Sequence, residues 1–306
     1  MRYVVTGAAG FIGSQLLRTL LAAGHDAVGW DAFTDYYDPA LKQENAAGLP
    51  VERVDLAEDA LDLEGVDGVF HLAGQPGVRS FGGVFPVYVR QNIIATQRVF
   101  EQAVAVGART VYASSSSIYG HAAAYPTPED TPPRPISPYG ITKLACEHLA
   151  YSYGSEFGLD AIGLRYFNAF GPGQRPDMAF TRMVMSLAAG RPFELYGDGT
   201  QSRSFTYLDD VVAATVLAME KAPAGAIYNV GGGVEVTMLE AIETLDRIAG
   251  RKLEVTRSPR LEGDVARTCA DTSRIRADLG WEPTTSFADG LDAQWRWAAD
   301  RVAAAS

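Results

Sequence analysis

The N-terminal end of the chain combines an apolar run, a glycine-rich turn and a helical leucine pattern, and this combination restricts the fold more than any other stretch. The run Arg2–Thr6 is typical of a short buried strand. Leucines recur at helical spacing over residues 16–21, and Gly24 ends the helix. The turn between them carries glycine at three positions, Gly7, Gly10 and Gly13. Such a turn lets backbone N–H groups approach a pyrophosphate at the positive end of a helix, so we predict a dinucleotide site here.

An acidic residue follows at the end of the next predicted strand. Residues 27–30 form the strand, and Asp31 comes directly after them. In that position a carboxylate accepts both ribose hydroxyls of a dinucleotide and repels a 2′-phosphate, which favours NAD over NADP. The alternative is a carboxylate that only caps a helix or a turn.

Strands and helices alternate through the first half of the sequence. Further strands are predicted at residues 51–54, 68–72, 110–113 and 161–167, and a long helix at 87–106. Parallel strands joined by helices cover both faces of a sheet. We therefore predict an α/β fold with a doubly wound, Rossmann-like parallel sheet.

The second half has the character of a smaller C-terminal α/β lobe that binds substrate. We expect an NAD-binding domain over residues 1–167 and a nucleotide-sugar-binding lobe over 168–306, with residues 205–231 returning to the main sheet. The elements expected after the boundary are a helix opened by Asp177, short strands near 193–196 and 253–256, helices near 208–221, 237–249 and 286–303, and a strand at 226–230.

A tyrosine and a lysine lie four residues apart at the start of another predicted helix. Ser137 can cap a helix whose first residue is Pro138, and Tyr139 and Lys143 then share one face. A free phenol loses its proton only near pH ~10, but a neighbouring ammonium favours the phenolate and lets it act as a base. With 14 Tyr in the chain the pair alone is a weak signal, and its setting after a serine run strengthens it.

In this order, the motifs resemble the extended short-chain dehydrogenases/reductases that act on nucleotide sugars, over essentially the whole chain. The resemblance implies NAD as cofactor, a UDP-sugar as substrate, and Ser115, Tyr139 and Lys143 as the catalytic residues. It also implies that the cofactor is bound by Gly7, Gly10, Phe11, Ile12, Gly13, Asp31, Asp55, Leu56, Leu72, Ala73, Tyr139 and Lys143. Asp55 is placed to reach the adenine amine, whereas Asn92 could contact the cofactor or substrate or simply pack its helix.

The residues beside the catalytic serine indicate which reaction follows oxidation of the sugar. The similar 4,6-dehydratases carry an Asp-Glu pair, and the decarboxylases a Glu, where this chain has Ser116 and Ser117. Without a carboxylic acid there, return of hydride to the opposite face remains, which is 4-epimerisation through a transient 4-keto sugar. Decarboxylation is an alternative, and an NAD-sensing module without enzymatic activity is disfavoured because Tyr139 and Lys143 are both intact.

Three stretches, residues 31–42, 77–79 and 174–179, are similar to UDP-glucuronate 4-epimerases and point to interconversion of UDP-glucuronate and UDP-galacturonate. The resemblance implies that Ser116, Ser117, Asn168 and Arg175 surround the substrate carboxylate, and that Arg203 contacts the diphosphate. Alternatives are a solvated loop cation for Arg175 and a surface ion pair for Arg203. Those epimerases tend to have Thr at the position of Asn168, which leaves UDP-glucose or UDP-N-acetylglucosamine open as substrate. The pair Gly263-Asp264 is a further match to the nucleotide lobe. Arg260 is a weaker candidate for the diphosphate, because its offset from this pair differs by one from that of the family members that use an Arg there.

Composition restricts the partners. A net charge of −11 and a pI of about 4.9 argue against general affinity for nucleic acid or acidic membranes. No window has the length of a membrane span and nothing directs the chain elsewhere, so we expect a cytoplasmic protein. Neither the two Cys nor the four His have metal-ligand spacing, and His71 is expected to be a packed strand-end residue. The resemblance also implies a homodimer that pairs the helices at 87–106 and 138–156.

Overall fold

The fold is that of a computed structural model, which describes residues 1–77, 82–232, 234–259 and 265–304. Within them the strands are β1 Arg2–Thr6, β2 Asp26–Asp31, β3 Val51–Arg53, β4 Gly68–His71, β5 Arg109–Ser115, β6 Ala161–Tyr166, β7 Asn168–Phe170, β8 Phe193–Tyr196, β9 Ser202–Tyr207, β10 Ile227–Val230, β11 Val234–Thr237, β12 Val255–Ser258 and β13 Arg267–Thr268. The α-helices are α1 Phe11–Ala22, α2 Pro39–Asn45, α3 Phe85–Tyr88, α4 Ala95–Val106, α5 Pro138–Phe157, α6 Ala179–Ala188, α7 Leu208–Lys221, α8 Met238–Ala249, α9 Ser273–Leu279 and α10 Phe287–Ala304.

A seven-stranded parallel sheet organises the larger part of the molecule, in the order β10-β6-β5-β4-β1-β2-β3. The chain begins in β1, moves outwards through β2 and β3, and then crosses to β4 on the other side. A crevice forms where the strand order reverses, at the carboxyl ends of the strands. The predicted α/β fold with a Rossmann-like sheet is confirmed.

Helices cover both faces of this sheet because its strands are apolar on both sides. On one face α1, α7 and α9 cover the sheet, and the core there contains Phe70 from β4 with Leu16 from α1 and Val211 from α7. On the other face α4 and α5 cover the sheet, and the core there contains Val69 from β4 and Phe100 from α4. Burial of these side chains is the main stabilising term for a sheet of this kind.

The remaining strands and helices form a second layered unit with its own core. Strands β11, β9 and β13 form a small sheet that β7 joins through β9, and β12 pairs with β8. Helices α6, α8 and α10 pack together over a core that contains Phe170, Phe180 and Leu245. The chain leaves this unit through α7 and re-enters the large sheet as β10, which pairs with β6.

Two local predictions need correction. The helix expected to open at Asp177 begins at Ala179, because the Asp177 carboxylate accepts from Arg175 and Met178 is still extended. The helix expected over 87–106 is not uniform, since a π-helical turn at Val89–Ile94 joins α3 to α4. Among the described residues, none of the helices has the length and apolar character needed to cross a bilayer.

Candidate active site

A cleft of about 700 Å³ lies at the crevice of the large sheet and extends to the second unit. It brings together residues that are far apart in the chain, which is typical of a ligand site at a topological switch point. The candidate residues that line it are Gly7, Gly10, Phe11, Ile12, Gly13, Asp31, Leu56, Leu72, Ala73, Ser115, Ser116, Ser117, Tyr139, Lys143, Asn168, Arg175 and Arg203. Asp55 does not line it.

The glycine turn is packed so closely that side chains have no room there. Gly7 has a φ of +70°, and a Cβ on it would lie 2.8 Å from the Ala73 nitrogen. A Cβ on Gly13 would lie 2.2 Å from the Gly7 carbonyl oxygen. The turn therefore presents bare backbone to the cleft at the N-terminus of α1, an arrangement that suits the pyrophosphate of a dinucleotide.

Asp31 is fixed at the other end of this half of the cleft. Its carboxylate accepts from the backbone nitrogens of Ala9 at 3.1 Å and Phe33 at 2.8 Å. Phe33 has a φ of +50°, a conformation that costs energy for a residue with a side chain. The strained turn thus holds a carboxylate in the cleft, where it can meet a ribose.

A buried lysine, Lys42, also lines this part of the cleft, although no function was predicted for it. It is about 7% exposed and lines the cleft, and its ammonium donates to Thr34 Oγ1 at 2.9 Å and lies 5.0 Å from the centre of the Tyr37 ring. Burial lowers the pKa of Lys42, while the charge of Asp31 opposes this change. The sequence did not indicate that Lys42 lines the cleft. Its burial depends on how the loop before α2, which contains Thr34 and Tyr37, folds against it.

Asp55 and His71, each next in sequence to a leucine that lines the cleft, are held by other protein groups. The Asp55 carboxylate accepts from Arg90 Nη2 at 2.8 Å and from the Ala57 nitrogen at 3.0 Å, so its contact with adenine stays a prediction. His71 is buried, as the sequence analysis expected, and its ring nitrogens lie 2.9 Å from hydroxyls of Thr6 and Thr96. Burial lowers the pKa of His71 to about 3.

The catalytic candidates lie where α5 meets the end of β5. Ser137 caps α5 by accepting from the Gly140 nitrogen at 3.1 Å, which places Tyr139 and Lys143 on the first two turns. The Lys143 ammonium lies 5.9 Å from the centre of the Tyr139 ring and donates to the Ala113 carbonyl at 2.8 Å. Ser115 Oγ accepts from the Ser117 nitrogen at 3.1 Å, so its own proton is available to a ligand.

Asn92 lies in the π-helical turn and is about 1% exposed. Its side-chain oxygen accepts from the Gln75 nitrogen at 2.7 Å, and its amide donates to Thr142 Oγ1 at 2.9 Å. Both ends of the side chain are therefore engaged with protein. Asn92 joins the strand-end loop to α5, which is the packing alternative of the two that the sequence left open.

Arg175, which also lines the cleft, is bound by its neighbour Asp177. Nε and Nη2 each donate to one carboxylate oxygen at 3.0 Å, and the guanidinium carbon lies 5.9 Å from the centre of the Tyr36 ring. Burial acts to lower the pKa of Arg175, but the bonds to Asp177 and the charges of Tyr36 and Tyr139 outweigh it and raise that pKa. Arg175 and Tyr139 line the same cleft.

Two further substrate candidates make contacts within the small sheet. The Asn168 amide donates to Thr268 Oγ1 at 3.0 Å, and Arg203 donates to backbone carbonyls of Ser202, Val265 and Ala266. Both line the cleft. Arg203 thus belongs to the cleft wall and makes backbone contacts there, while its binding to a diphosphate stays a prediction.

Some sequence candidates fall outside the described residues: Val78, Arg79, Arg260, Gly263 and Asp264. A buried pair that was not predicted, Glu147 and Arg165, lies on the same helix as Tyr139 and Lys143 and on the neighbouring strand β6. The spacing of Glu147, one helical step of four beyond Lys143, was a signal that could have found it.

Comparisons with known proteins agree with this geometry. Residues 3–231 match the NAD dependent epimerase/dehydratase family. A Bacillus subtilis protein described as an uncharacterised UDP-glucose epimerase is 39% identical over 303 residues, which cover 95% of this chain and 96% of the relative. The UDP-glucuronate 4-epimerase of Thermodesulfobacterium geofontis is 34% identical over 315 residues, covering 98% and 97%.

A solved structure shows the same likeness in three dimensions. The crystal structure of UDP-glucuronic acid 4-epimerase from Bacillus cereus in complex with UDP-glucuronic acid and NAD has a TM-score of 0.94 and 38% identity to this chain, covering 98% of this chain and 100% of that one. The family match includes the strand, turn and helix that frame the cleft. The chain therefore belongs to the NAD dependent epimerase/dehydratase family.

Proposed function

We propose that this protein is an isomerase that interconverts UDP-glucuronate and UDP-galacturonate, through a transient 4-keto sugar and with NAD as cofactor. Relatives that carry this name match almost the whole chain. A UDP-glucuronic acid 4-epimerase with UDP-glucuronic acid and NAD bound has nearly the same fold.

One observation carries the proposal: a single cleft contains Arg175 together with Ser115, Tyr139 and Lys143. The protein is acidic overall, so an anionic sugar needs a local cation near the reacting carbon. The run that follows Ser115 supplies Ser116 and Ser117 instead of a carboxylic acid. These serines can hold a carboxylate, but they are poor proton donors for a leaving group or an enolate.

In this proposal the cofactor lies along the first half of the cleft. Gly7, Gly10, Phe11, Ile12 and Gly13 hold the pyrophosphate at the start of α1, and Asp31 accepts from the adenosine ribose. Asp55 and Leu56 flank the adenine, and Leu72 and Ala73 flank the cofactor further along. NAD, when bound, supplies reversible acceptance of the hydride from C4 of the sugar.

The chain's own residues manage the proton and the oxygen at C4. Tyr139 takes the proton of the 4-hydroxyl, and Lys143 stabilises the phenolate and is placed to bond a ribose hydroxyl. Ser115 bonds to the same sugar oxygen and keeps it in line with the phenol. The same groups return the proton after the ring has turned over, which gives the C4 epimer.

The substrate's carboxylate creates a specific requirement. A 4-keto glucuronate is a β-keto acid, which loses CO₂ when the bond to its carboxylate stands perpendicular to the carbonyl plane. We propose that Ser116, Ser117 and Arg175, with Asn168 beside them, hold the carboxylate away from that orientation. Arg203 in the small sheet binds the diphosphate.

The proposal extends to the organisation of the protein. Residues 1–167 form the NAD-binding domain, and 168–306 form the nucleotide-sugar lobe, apart from the excursion that returns through α7 and β10. A homodimer is supported by exposed apolar side chains on the paired helices: Val87, Ile94, Val106, Ile141, Tyr151 and Phe157. The cytoplasm is the compartment that supplies its nucleotide-sugar substrate.

A direct assay tests the function. Purified protein is incubated with UDP-glucuronate, UDP-glucose or UDP-N-acetylglucosamine, and the sugar nucleotides and released CO₂ are quantified. We expect UDP-galacturonate from UDP-glucuronate, and loss of turnover in Tyr139→Phe. Release of CO₂ as the main outcome would identify a decarboxylase, and exclusive use of neutral sugars would refute the acid substrate.

The second candidate is a 4-epimerase of UDP-glucose or UDP-N-acetylglucosamine. The observation in its favour is that Asp177 already neutralises Arg175, so that an uncharged sugar meets no unpaired cation there. The same three-substrate assay separates the two candidates.

A further inference from the structure

A buried ion pair lies behind the catalytic side of the cleft and has no part in the chemistry proposed above. The side chains of Glu147 and Arg165 are each 6% exposed. Nε and Nη2 of Arg165 donate to the two carboxylate oxygens of Glu147, at 2.9 and 2.8 Å. Removing two charges from water is costly, and an apolar pair of similar size would fill the space as well. The presence of an ion pair at this place therefore points to a function for its contacts.

Those contacts bracket the segment that carries the catalytic serine. We call residues 114–119 the serine arc; it runs from the end of β5 through the short 3₁₀ turn Ser116–Tyr119. At its start, Ser114 Oγ donates to Glu147 Oε1 at 2.5 Å. At its end, Arg165 Nη1 donates to the Tyr119 hydroxyl oxygen at 2.7 Å. One ion pair thus holds both ends of the arc, with Ser115, Ser116 and Ser117 between them.

The same pair connects the serine arc to the helix that carries the base. Tyr139, Lys143 and Glu147 follow one another at intervals of four along α5, so they lie along one side of the helix. Lys143 donates to the Ala113 carbonyl, and Glu147 accepts from Ser114. Helix α5 is therefore attached to two consecutive residues of β5, immediately before Ser115.

We propose that the Glu147–Arg165 pair is a positioning device that fixes the serine arc against α5 and thereby decides whether the 4-keto sugar keeps its carboxylate. The inference rests on the proposed use of UDP-glucuronate. Ser115 must stay in line with Tyr139 for proton transfer, while Ser116 and Ser117 must hold the carboxylate close to the carbonyl plane. A misplacement of about 1 Å is enough to impair such an arrangement.

The side reaction that the arc prevents is chemically simple. The bond between C5 and the carboxyl carbon breaks, CO₂ leaves, and the electron pair of that bond converts the C4 carbonyl into an enolate. The enolate takes a proton from water at C5, which leaves a UDP-4-keto-pentose. No further oxidant or reductant is consumed in this step, so a loosened arc is sufficient to allow it.

Glu147→Gln tests the proposal, because glutamine keeps the shape of the side chain and removes the charge. We expect kcat to fall by about ten- to a hundredfold, with a much smaller change in KM for UDP-glucuronate. The ratio of CO₂ released to UDP-galacturonate formed should rise by roughly tenfold. A lower kcat with an unchanged product ratio would mean that the pair only supports the fold, and would overturn the proposal.

Milder variants cover the case in which Glu147→Gln does not fold. Ser114→Ala removes the bond at one end of the arc. Tyr119→Phe removes the bond from Arg165 at the other end, together with the bond that the Tyr119 hydroxyl donates to Asn229 Oδ1. Each should raise the product ratio in the same direction. Tyr228→Phe is the matched control, because it removes the hydroxyl of another buried tyrosine, which donates to the Asp278 carboxylate and not to a residue of the arc or of the ion pair. Its product ratio should equal that of the native protein.

A second measurement does not depend on the substrate. Hydrogen exchange at the amides of the serine arc should accelerate in Ser114→Ala and Tyr119→Phe and stay unchanged in Tyr228→Phe. If the native protein does not convert UDP-glucuronate, the proposed function fails, and the exchange data still decide whether the pair orders the arc. If the native protein is an epimerase and neither exchange nor product ratio responds, the positioning proposal fails alone.

Discussion

The guanidinium of Arg175 and the carboxylate of Asp177 form a forked pair, with both nitrogen–oxygen distances at 3.0 Å, on the wall of the cleft. The bonds occupy Nε and Nη2, which form one of the two edges of the guanidinium that can bind a carboxylate in a bidentate contact. A substrate carboxylate therefore meets a cation whose charge is already balanced. Asp177 is thus placed to weaken discrimination between acidic and neutral sugars.

This relationship predicts the effect of Asp177→Asn. The substitution removes the competing charge, so we expect the ratio of kcat/KM for UDP-glucuronate to that for UDP-glucose to rise by about two- to fivefold, a range set by the modest strength of partly exposed pairs. Glu282→Gln removes a carboxylate from an exposed pair with Arg276 and serves as control, with no change in the ratio. A fall in the ratio for Asp177→Asn would show that Asp177 helps to orient Arg175 for the acid.

Lys42 leads to a prediction about the cofactor. Lys42 is buried and lines the same cleft as Asp31, and its ammonium donates a hydrogen bond to Thr34 Oγ1. Lys42→Met keeps most of the apolar stem and removes the donor. Because a hydrogen bond from a charged group contributes about 1.5 to 3 kcal/mol, we expect the dissociation constant for NAD to rise by roughly tenfold or more.

The measurement is NAD binding followed by fluorescence titration, together with the amount of NAD that remains bound after purification. Lys252→Met is the control, since its ammonium is 89% exposed and pairs with Asp246 far from the cleft. Equal NAD affinity in Lys42→Met and the native protein would remove Lys42 from the cofactor site.

The sequence predicted the features that depend on local order. The glycine turn, the cap at Ser137 and the spacing of Tyr139 and Lys143 are each encoded within a few residues. The structure places the glycines, Tyr139 and Lys143 at the cleft, and Ser137 at the N-terminus of α5. The parallel sheet followed from the alternation of strands and helices. These signals are strong because each arises from one element and its neighbour.

The features that the sequence did not show depend on contacts between distant segments. Arg165 meets Glu147 and Tyr119 only because β6 lies beside β5 in the sheet. Asp is a residue type that often caps helices, so Asp177 was predicted to open one. Its pairing with Arg175 depends instead on the conformation of the loop between β7 and α6. Lys42 is buried because the loop after β2 folds over it. Such choices are set by tertiary packing, which propensities within one segment do not encode.

Gly74 gives a prediction about space in the catalytic centre. A Cβ at this position would lie 2.8 Å from Asn92 Oδ1 and 3.3 Å from Lys143 Nζ. We therefore expect Gly74→Ala to push the Asn92 amide oxygen and the Lys143 ammonium aside by a few tenths of an ångström, and to lower kcat by about three- to tenfold. Gly83→Ala is the matched control, because no atom lies within 4 Å of its added Cβ. The two variants are compared by steady-state kinetics, and circular dichroism verifies that both fold. A native kcat in Gly74→Ala would show that Lys143 tolerates the shift.

His71 links the core beside the cleft to pH. Nδ1 of His71 lies 2.9 Å from Thr6 Oγ1 and Nε2 lies 2.9 Å from Thr96 Oγ1, and each of these hydroxyls can either donate or accept. Both ring nitrogens are therefore satisfied in the neutral imidazole. Burial, and to a smaller extent the charge of Lys143, lowers the pKa of His71 to about 3, well below its ordinary value of about 6.5.

The sign of the pH effect follows from this difference. Between pH 6.5 and 3 the unfolded chain binds a proton at His71 that the folded chain does not, so stability falls as the pH falls. From pH 7.5 to 5.0 this residue should cost about 2 kcal/mol of unfolding free energy, which urea denaturation at the two values can measure. His71→Gln should lose less stability over the same interval, although it starts less stable because its core packing is altered. His121→Gln is the control; it changes an exposed imidazole and should lose as much stability over this pH interval as the native protein. If His71→Gln also loses as much as the native protein, other groups cause the acid sensitivity.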